Sequence, residues 1–285
     1  MTTSLAILTW PVLVVQLLIL GTAVFALLFP PVALGDLDGA YRVVTVWRAL
    51  AILNLAISPM LFMQIASGMA GTNWREALPL LPRILRETVA GRFWMWRFAA
   101  VMMLAIAMWS PIREGLIAFS ALALSIILIL LSSLTSHAID KGALIIAMDF
   151  VHQCAGGLWF GALASLLMSA SGGADAIAAF APRVSMVCGW SLAIVAISGV
   201  ATAFQWLGWN PHLLFDSAYG RALMWKVAIA APLVLLGAHN RYRQLPRVEQ
   251  PSARVLLIRS VTLECILLLA VVAWSAILAN TPPPH

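Results

Sequence analysis

The sequence predicts an all-α polytopic membrane protein with eight transmembrane helices, arranged as two parallel four-helix repeats. Of its 285 residues, 62% are hydrophobic and only 10% are charged, against about 25% charged in an ordinary soluble domain. The apolar residues fall into eight long segments, and one tryptophan-containing motif occurs twice. Together with the mean hydropathy of +0.97, this composition excludes a soluble fold class.

Each apolar segment is long enough to cross a membrane as a helix. A hydrocarbon core about 30 Å thick needs about 20 apolar residues, and lipid excludes open sheets and loops. The predicted helices are residues 11–29, 49–68, 93–109, 115–134, 142–168, 184–207, 222–238 and 255–278. Between the second and third, residues 74–90 mix leucines, prolines and charges, which predicts an interfacial amphipathic segment.

The doubled motif is Gly-Arg-x-x-Met-Trp followed by a basic residue. It occurs at 91–97 and at 220–226, each time at the start of a predicted helix. The motif equates the third helix with the seventh, so residues 1–136 and 137–285 become two halves of four helices. Because four is an even number, the halves run in the same direction. The basic residues of the motif are predicted to extend to lipid headgroups as anchors. They are Arg92, Arg97, Arg221 and Lys226.

Eight crossings place both termini on one side of the membrane. The loop at 240–254, on the opposite side, holds four of the arginines. Cytoplasmic loops carry an excess of Lys and Arg, so we expect this loop in the cytoplasm and both termini outside. The net charge of +6 is assigned to topology and to contact with lipid headgroups, and no nucleic-acid partner is predicted.

Histidines supply the main candidates for chemistry. His137, His152 and His285 fall on the outer side of this topology, and neutral imidazole is the commonest protein metal ligand. His152 lies within the fifth helix, where Met148 and Asp149 share its face at spacings of four and three residues. Met148 could bind a soft ion such as Cu(I), and Asp149 could orient the imidazole. The alternative is that Asp149 and His152 only hydrogen-bond each other.

The other reactive groups in the apolar segments have structural interpretations. Cys154, Cys188 and Cys265 form no CxxC pair and are expected to be small buried hydrophobes. Glu264 is expected to pair with Arg259 or to reach the headgroups, with a proton or ion relay as the alternative. The chain has no Walker loop, nucleophile elbow or HExxH motif, so no enzyme is predicted.

The second half also contains an ordered set of short motifs. In chain order they are Ser136-His137-Ala138, Val151-His152, Gly156-Gly157-Leu158-Trp159-Phe160-Gly161, Ser198-Gly199, Tyr219-Gly220, Lys226, Asn240-Arg241, Glu264 and a proline-rich tail ending in His285. This set resembles the copper resistance protein D family (CopD, PcoD), which are bacterial inner-membrane proteins linked to copper uptake. The first half resembles the family mainly through residues 91–97.

The resemblance implies delivery of copper, as Cu(I) or alternatively Cu(II), from the periplasm toward the cytoplasm. By position it implies that His137, His152 and His285 bind copper on the periplasmic side. It also implies a periplasmic copper-binding donor of the CopC type, which we expect to be a separate protein. The alternative is a haem-binding membrane redox protein with bis-histidine ligation, because four-helix bundles can hold haem between facing histidines.

Overall fold

The structure is a computed structural model that describes residues 2–29, 37–110, 113–208, 210 and 212–284. The described residues form helices and turns and contain no strand, which confirms the all-α fold class. The α-helices are α1 (Thr2–Leu28), α2 (Leu37–Ala70), α3 (Trp74–Ala77), α4 (Leu81–Glu87), α5 (Val89–Trp109), α6 (Glu114–Leu134), α7 (Ala143–Ser169), α8 (Gly173–Leu207), α9 (His212–Asp216), α10 (Ala218–His239) and α11 (Pro251–Ala279).

Seven helical stretches in the described part of the chain are long and apolar enough to cross a membrane. They are Ser4–Leu28, Arg42–Ala70, Val89–Trp109, Gly115–Leu134, Ala143–Leu207, Ala218–Arg247 and Pro251–Ala279. Large apolar side chains point outward from them, among them Trp190, Ile197 and Leu235, which are 70%, 72% and 71% exposed. So large an apolar surface suits lipid and not water. The chain is therefore a multi-pass membrane protein.

The longest stretch, Ala143–Leu207, is a hairpin of α7 and α8. Its 65 residues would extend about 98 Å as one straight helix, roughly three times the hydrocarbon thickness. The chain turns at the 3-10 segment Ala170–Gly172, and Gly173 has a φ of +90° that favours glycine. His152 on α7 then contacts Ser198 on α8. Counted as two crossings, this hairpin supports the total of eight membrane crossings, which stays a prediction.

Residues 74–87 form short helices between α2 and α5. The side chain of Asn73 caps α3 by accepting hydrogen bonds from the backbone N–H groups of Arg75 and Glu76. The longer helix, α4, has seven residues and is about 10 Å long, too short to cross a membrane. Ile84 packs into the apolar core beside Trp94. The interfacial position predicted for this segment stays a prediction.

Two large apolar cores follow the two halves of the chain. The first core lies between α1, α2, α5 and α6 and includes Trp47, Leu104 and Leu128. The second lies between α7, α8, α10 and α11 and includes Phe180 and Leu257. Helix α1 contributes side chains to both cores. The division predicted at 136/137 stays a prediction.

Glycines join the two halves where α1 crosses α7. A Cβ on Gly21 would overlap the carbonyl oxygen of Gly157, and a Cβ on Gly161 would overlap the backbone of Gly21. Gly157 and Gly161 are four residues apart, a small-xxx-small spacing that lets membrane helices approach closely. We call this contact the glycine seam. Backbone packing at the seam fixes α1 against α7.

The two copies of the doubled motif have the same local geometry. Thr88 caps α5 by accepting a hydrogen bond from the N–H of Gly91, and Ser217 caps α10 in the same way from Gly220. Both acceptor–donor distances are 2.8 Å. Each glycine also lies directly against the backbone of the short helix before it, where a Cβ would overlap a carbonyl oxygen. The starts of α5 and α10 therefore share one arrangement of cap and glycine, and the internal repeat stays a prediction.

The prediction that Arg97 anchors to headgroups is wrong. Its side chain is only 5% exposed. Its guanidinium donates to Ser132 Oγ at 2.7 Å and to Gln16 Oε1 at 3.2 Å. The physical reason is its register, because Arg97 lies on the buried face of α5 with Trp94 and Val101, three and four residues away. By contrast, the other motif arginines, Arg92 and Arg221, are exposed.

Candidate functional site

A group of polar side chains crosses the interior of the second half, near the start of α7. We call it the His152 cluster. Its members come from four helices: Asp149, His152 and Gln153 on α7, Ser133 on α6, Ser198 on α8 and Lys226 on α10. Polar groups placed among apolar membrane helices are functional candidates by default. The His152 cluster is therefore the starting point for chemistry.

His152 is held by Ser198 in a defined orientation. The distance from His152 Nδ1 to Ser198 Oγ is 3.0 Å. The Ser198 hydroxyl donates its own proton to the backbone carbonyl of Ile194 at 2.6 Å, so its oxygen accepts from the imidazole. Nδ1 is therefore the protonated nitrogen. Nε2 keeps its lone pair, as a metal-binding imidazole requires.

Gly199 makes room for the imidazole ring. A Cβ at this position would lie 3.3 Å from His152 Cε1, which is closer than side chains normally pack, and 3.6 Å from Nδ1. A glycine next to Ser198 therefore allows the ring to approach α8. Together the two residues fix both the position and the tautomer of His152.

Asp149 faces a different neighbour from His152. Gln153 Nε2 donates to Asp149 Oδ2 at 2.8 Å and to Ser133 Oγ at 3.1 Å. The carboxylate thus belongs to a network between α7 and α6, whereas His152 contacts α8. Residues three apart on a helix differ by about 60° in direction, which explains the divergence. The spacing predicted that Asp149 and His152 lie on one side of α7. In the structure, however, the partner of His152 Nδ1 is Ser198.

Lys226 supplies a positive charge to the cluster. It is half-buried on α10 and interacts electrostatically with Asp149 and with His152. The expectation that Lys226 extends outward to headgroups does not fit this position. Its positive charge influences the Asp149 carboxylate electrostatically, and the hydrogen-bond partner of that carboxylate is Gln153.

The other predicted ligands are placed with less definition. Met148 is half-buried one turn before His152 on α7, and His137 is exposed in the 3-10 segment His137–Lys141. His285 lies outside the described residues. Among the described residues, no three His, Cys, Asp or Glu side chains surround a common metal position. The copper ligand set of His137, His152, His285 and Met148 stays a prediction, as does the orienting role of Asp149.

Sequence reasoning missed the partners that come from other helices. Ser198, Gln153 and Ser133 are ordinary polar residues, and their meeting depends on how the helices pack. Lys226 could have been identified from the sequence, because it occupies the same motif position as Arg97 and lies within an apolar segment. The expected pairing of Glu264 with Arg259 is also absent from the described part of the chain, where Asn240 hydrogen-bonds the carboxylate of Glu264 instead.

Two family models match the chain. The model described as copper resistance protein D matches residues 178–278. The model described as copper resistance protein D-like, N-terminal domain, matches residues 1–144. The first covers most of α8 to α11 and the second covers the whole first half, while residues 145–177, with most of α7, lie between the two matches.

Three known proteins are similar to the chain. Copper resistance protein D of Pseudomonas syringae pv. tomato is 25% identical over 249 residues, which are 79% of this chain and 80% of that protein. Copper transport protein CutJ of Bacillus subtilis (strain 168) is 25% identical over 83% of this chain but only 45% of its own length. Inner membrane protein YebZ of Escherichia coli (strain K12) is 25% identical over 84% of this chain and 83% of its own. No solved structure matches the chain.

Proposed function

Because the chain belongs to the copper resistance protein D family, we propose that it binds copper at the periplasmic face of the bacterial inner membrane and moves it toward the cytoplasm. The cargo is Cu(I), with Cu(II) as the alternative. The names of two similar proteins, a copper resistance protein and a copper transport protein, support copper as the cargo.

The observation that carries the proposal is the state of His152. Its Nδ1 proton is donated to Ser198, and its Nε2 lone pair remains available for a metal. Metal-binding histidines are normally oriented in this way by a hydrogen bond from the other ring nitrogen. His152 is therefore our primary copper ligand.

We propose that Met148 completes the periplasmic side of this site and that His137 and His285 bring copper to it. Met148 precedes His152 by one helical turn and offers the soft thioether sulfur that suits Cu(I). His137 is exposed, so it is accessible to an incoming ion or donor. Asp149 acts from the neighbouring network, where it interacts electrostatically with Lys226. Few, exchangeable ligands favour transfer over permanent storage.

The same proposal includes a topology of eight crossings in two parallel repeats with periplasmic termini. The α7–α8 hairpin and the matched caps of α5 and α10 support it. The arginine-rich segment at 241–247 then faces the cytoplasm, as positive loops do. In this arrangement the start of α7, and with it His152, is near the periplasm. A periplasmic copper-binding protein of the CopC type would deliver the ion there.

Substitution of His152 tests the proposal directly. Purified His152→Ala protein is expected to lose one bound copper ion per chain, measured by metal analysis after loading with Cu(I) and desalting. His239→Ala is the matched control, since His239 is exposed at the opposite end of the bundle, where it contacts Gln244. Full copper occupancy in His152→Ala, with normal insertion, would refute the assignment.

The haem alternative is distinguished by a visible spectrum. A bis-histidine haem requires a second histidine facing His152, and His137 is the candidate named by the sequence. Purified protein with haem would show a Soret band that disappears in His152→Ala. Copper-loaded protein without a Soret band would support the copper proposal instead.

A further inference from the structure

A cavity opens at the inner end of the second half, well away from the His152 cluster. It has a volume of about 460 Å³ and lies between α8 and α10, with α7 and α11 behind it. Most of its lining is apolar, but Cys188, Asn240, Arg241 and Glu264 also line it. We call it the inner cavity. It is open on one side, where the lining residues Trp190 and Tyr242 are exposed.

The polar end of the inner cavity holds an incompletely satisfied pair. Glu264 is 3% exposed and Asn240 is 6% exposed. The Asn240 amide nitrogen donates to Glu264 Oε1. The Asn240 Oδ1 is buried and has no hydrogen-bond partner. Buried polar atoms are nearly always satisfied, so this oxygen has room for a further partner, and a cation beside the carboxylate would be one.

Cys188 adds a soft ligand to the same cavity. It is a free thiol on α8, and it lines the cavity opposite Glu264 of α11. Thiolate sulfur selects Cu(I) among biological cations, whereas carboxylate and amide oxygens bind it weakly. The combination of one thiol with two oxygens therefore suits a copper ion that must leave again.

We propose that Cys188, Glu264 and Asn240 form a second, inner Cu(I) site, from which the ion is released toward the cytoplasm. This inference rests on the proposed function for the identity of the cargo. No three His, Cys, Asp or Glu side chains meet in the described residues, and the site accordingly has one thiol, one carboxylate and one amide oxygen. Low coordination is compatible with exchange between successive sites.

The chemistry of loading is a balanced exchange of a proton for a copper ion. Copper binds the thiolate, so the Cys188 S–H bond breaks as the Cu–S bond forms. The released proton passes to water at the open side of the cavity, because Asn240 Nδ2 donates to Glu264 Oε1 and the second carboxylate oxygen binds the copper. The copper stays Cu(I) throughout, and no oxidant or reductant is required. Release toward the cytoplasm reverses the exchange.

The inner site is distinct from the His152 site. Cys188 lies ten residues before Ser198 on α8, which is about 15 Å along the helix axis. One ion cannot contact both ends, because metal–ligand distances are about 2 Å. Arg241 also lines the cavity, and its guanidinium donates to the carbonyl of Ser185 at 2.9 Å.

Counting copper ions in single variants tests this inference. Wild-type protein in detergent is expected to bind two Cu(I) per chain against a competing chelator. Cys188→Ser should bind one, and Glu264→Gln should bind the inner ion at least tenfold more weakly. Cys154→Ser is the matched control, because Cys154 is also a free, half-buried thiol on a neighbouring helix but does not line the cavity. It should still bind two.

Thiol protection gives a second measurement that needs no variant. A membrane-permeant maleimide should modify Cys188 in the metal-free protein, and Cu(I) should protect it while leaving Cys154 modification unchanged. Unaltered copper binding in Cys188→Ser, or no protection of Cys188, would overturn the inner site. If His152→Ala alone keeps all its copper while Cys188→Ser loses an ion, the outer site fails and the inner one stands.

Discussion

Arg97 and Lys226 occupy the same position of the doubled motif but have different partners. Arg97 bonds Gln16 and Ser132, which are neutral. Lys226 instead interacts electrostatically with the carboxylate of Asp149. One half thus holds its cation in a neutral structural network, and the other places its cation within the electrostatic influence of an acid near His152. The difference explains why chemistry is expected in the second half.

Replacing Arg97 should destabilise the first half. Arg97→Ala removes two hydrogen bonds and leaves Gln16 Oε1 without this donor, so we expect a loss of about 2–4 kcal/mol in the free energy of unfolding. Thermal unfolding of the purified protein in detergent measures it. Arg92→Ala is the control, since Arg92 is exposed on the same helix and should change stability little. Equal melting temperatures for the two variants would contradict the structural role of Arg97.

Ser198 should act on copper through the tautomer of His152. In Ser198→Ala the Nδ1 proton loses its acceptor. Loss of the hydrogen bond that orients a metal-binding histidine lowers metal affinity by about 10–100-fold. Ser198→Thr keeps a hydroxyl and should recover much of the affinity. Competition titrations with a Cu(I) chelator compare the three proteins. A Ser198→Ala protein with wild-type affinity would show that the hydrogen bond does not position a ligand.

At the scale of helices, close packing of α1 on α7 depends on glycine. Gly161→Ala would place a Cβ within the backbone of Gly21, and the helices could only move apart. We expect a loss of about 2 kcal/mol or more in unfolding free energy. Gly156→Ala is the matched control on the same helix, because its Cβ would meet open space. Detergent thermal shifts that rank these two variants in the opposite order would refute the glycine seam.

The helices themselves were largely predictable from the sequence. Lipid offers no hydrogen-bond partners, and a helix is the main structure in which one chain segment pairs all of its own backbone N–H and C=O groups. The predicted segments overlap α1, α2, α5 to α8, α10 and α11. The predicted ends were less accurate: α8 begins at Gly173, whereas the predicted segment began at residue 184, because Asp175, Pro182 and Arg183 interrupt the apolar run before it. Spacing also placed Asp149 and His152 on one side of α7. It could not reveal Ser198 or Arg97's partners, because those contacts depend on how helices are rotated against each other.

At the scale of the whole molecule, thiol labelling tests the topology. In a background where the three native cysteines are replaced by serine, Asn210→Cys should react with a membrane-impermeant maleimide added from the periplasm. Ser171→Cys and Gln250→Cys should react only after the membrane is opened, because eight crossings place both on the cytoplasmic side. All three positions are exposed. Labelling of Ser171→Cys from the periplasm would rule out the proposed path of α7 and α8.

The glycine seam also determines which parts of the molecule can move. Backbone contact at Gly21 and Gly161 resists sliding of α1 along α7. These two helices therefore form a rigid pair that both bundles share. On the far side, α8 packs on α7 and α10 packs on α11, with the inner cavity between the two pairs. Alternate opening toward either face of the membrane would then require α8 and α10 to move relative to the rigid pair α1 and α7.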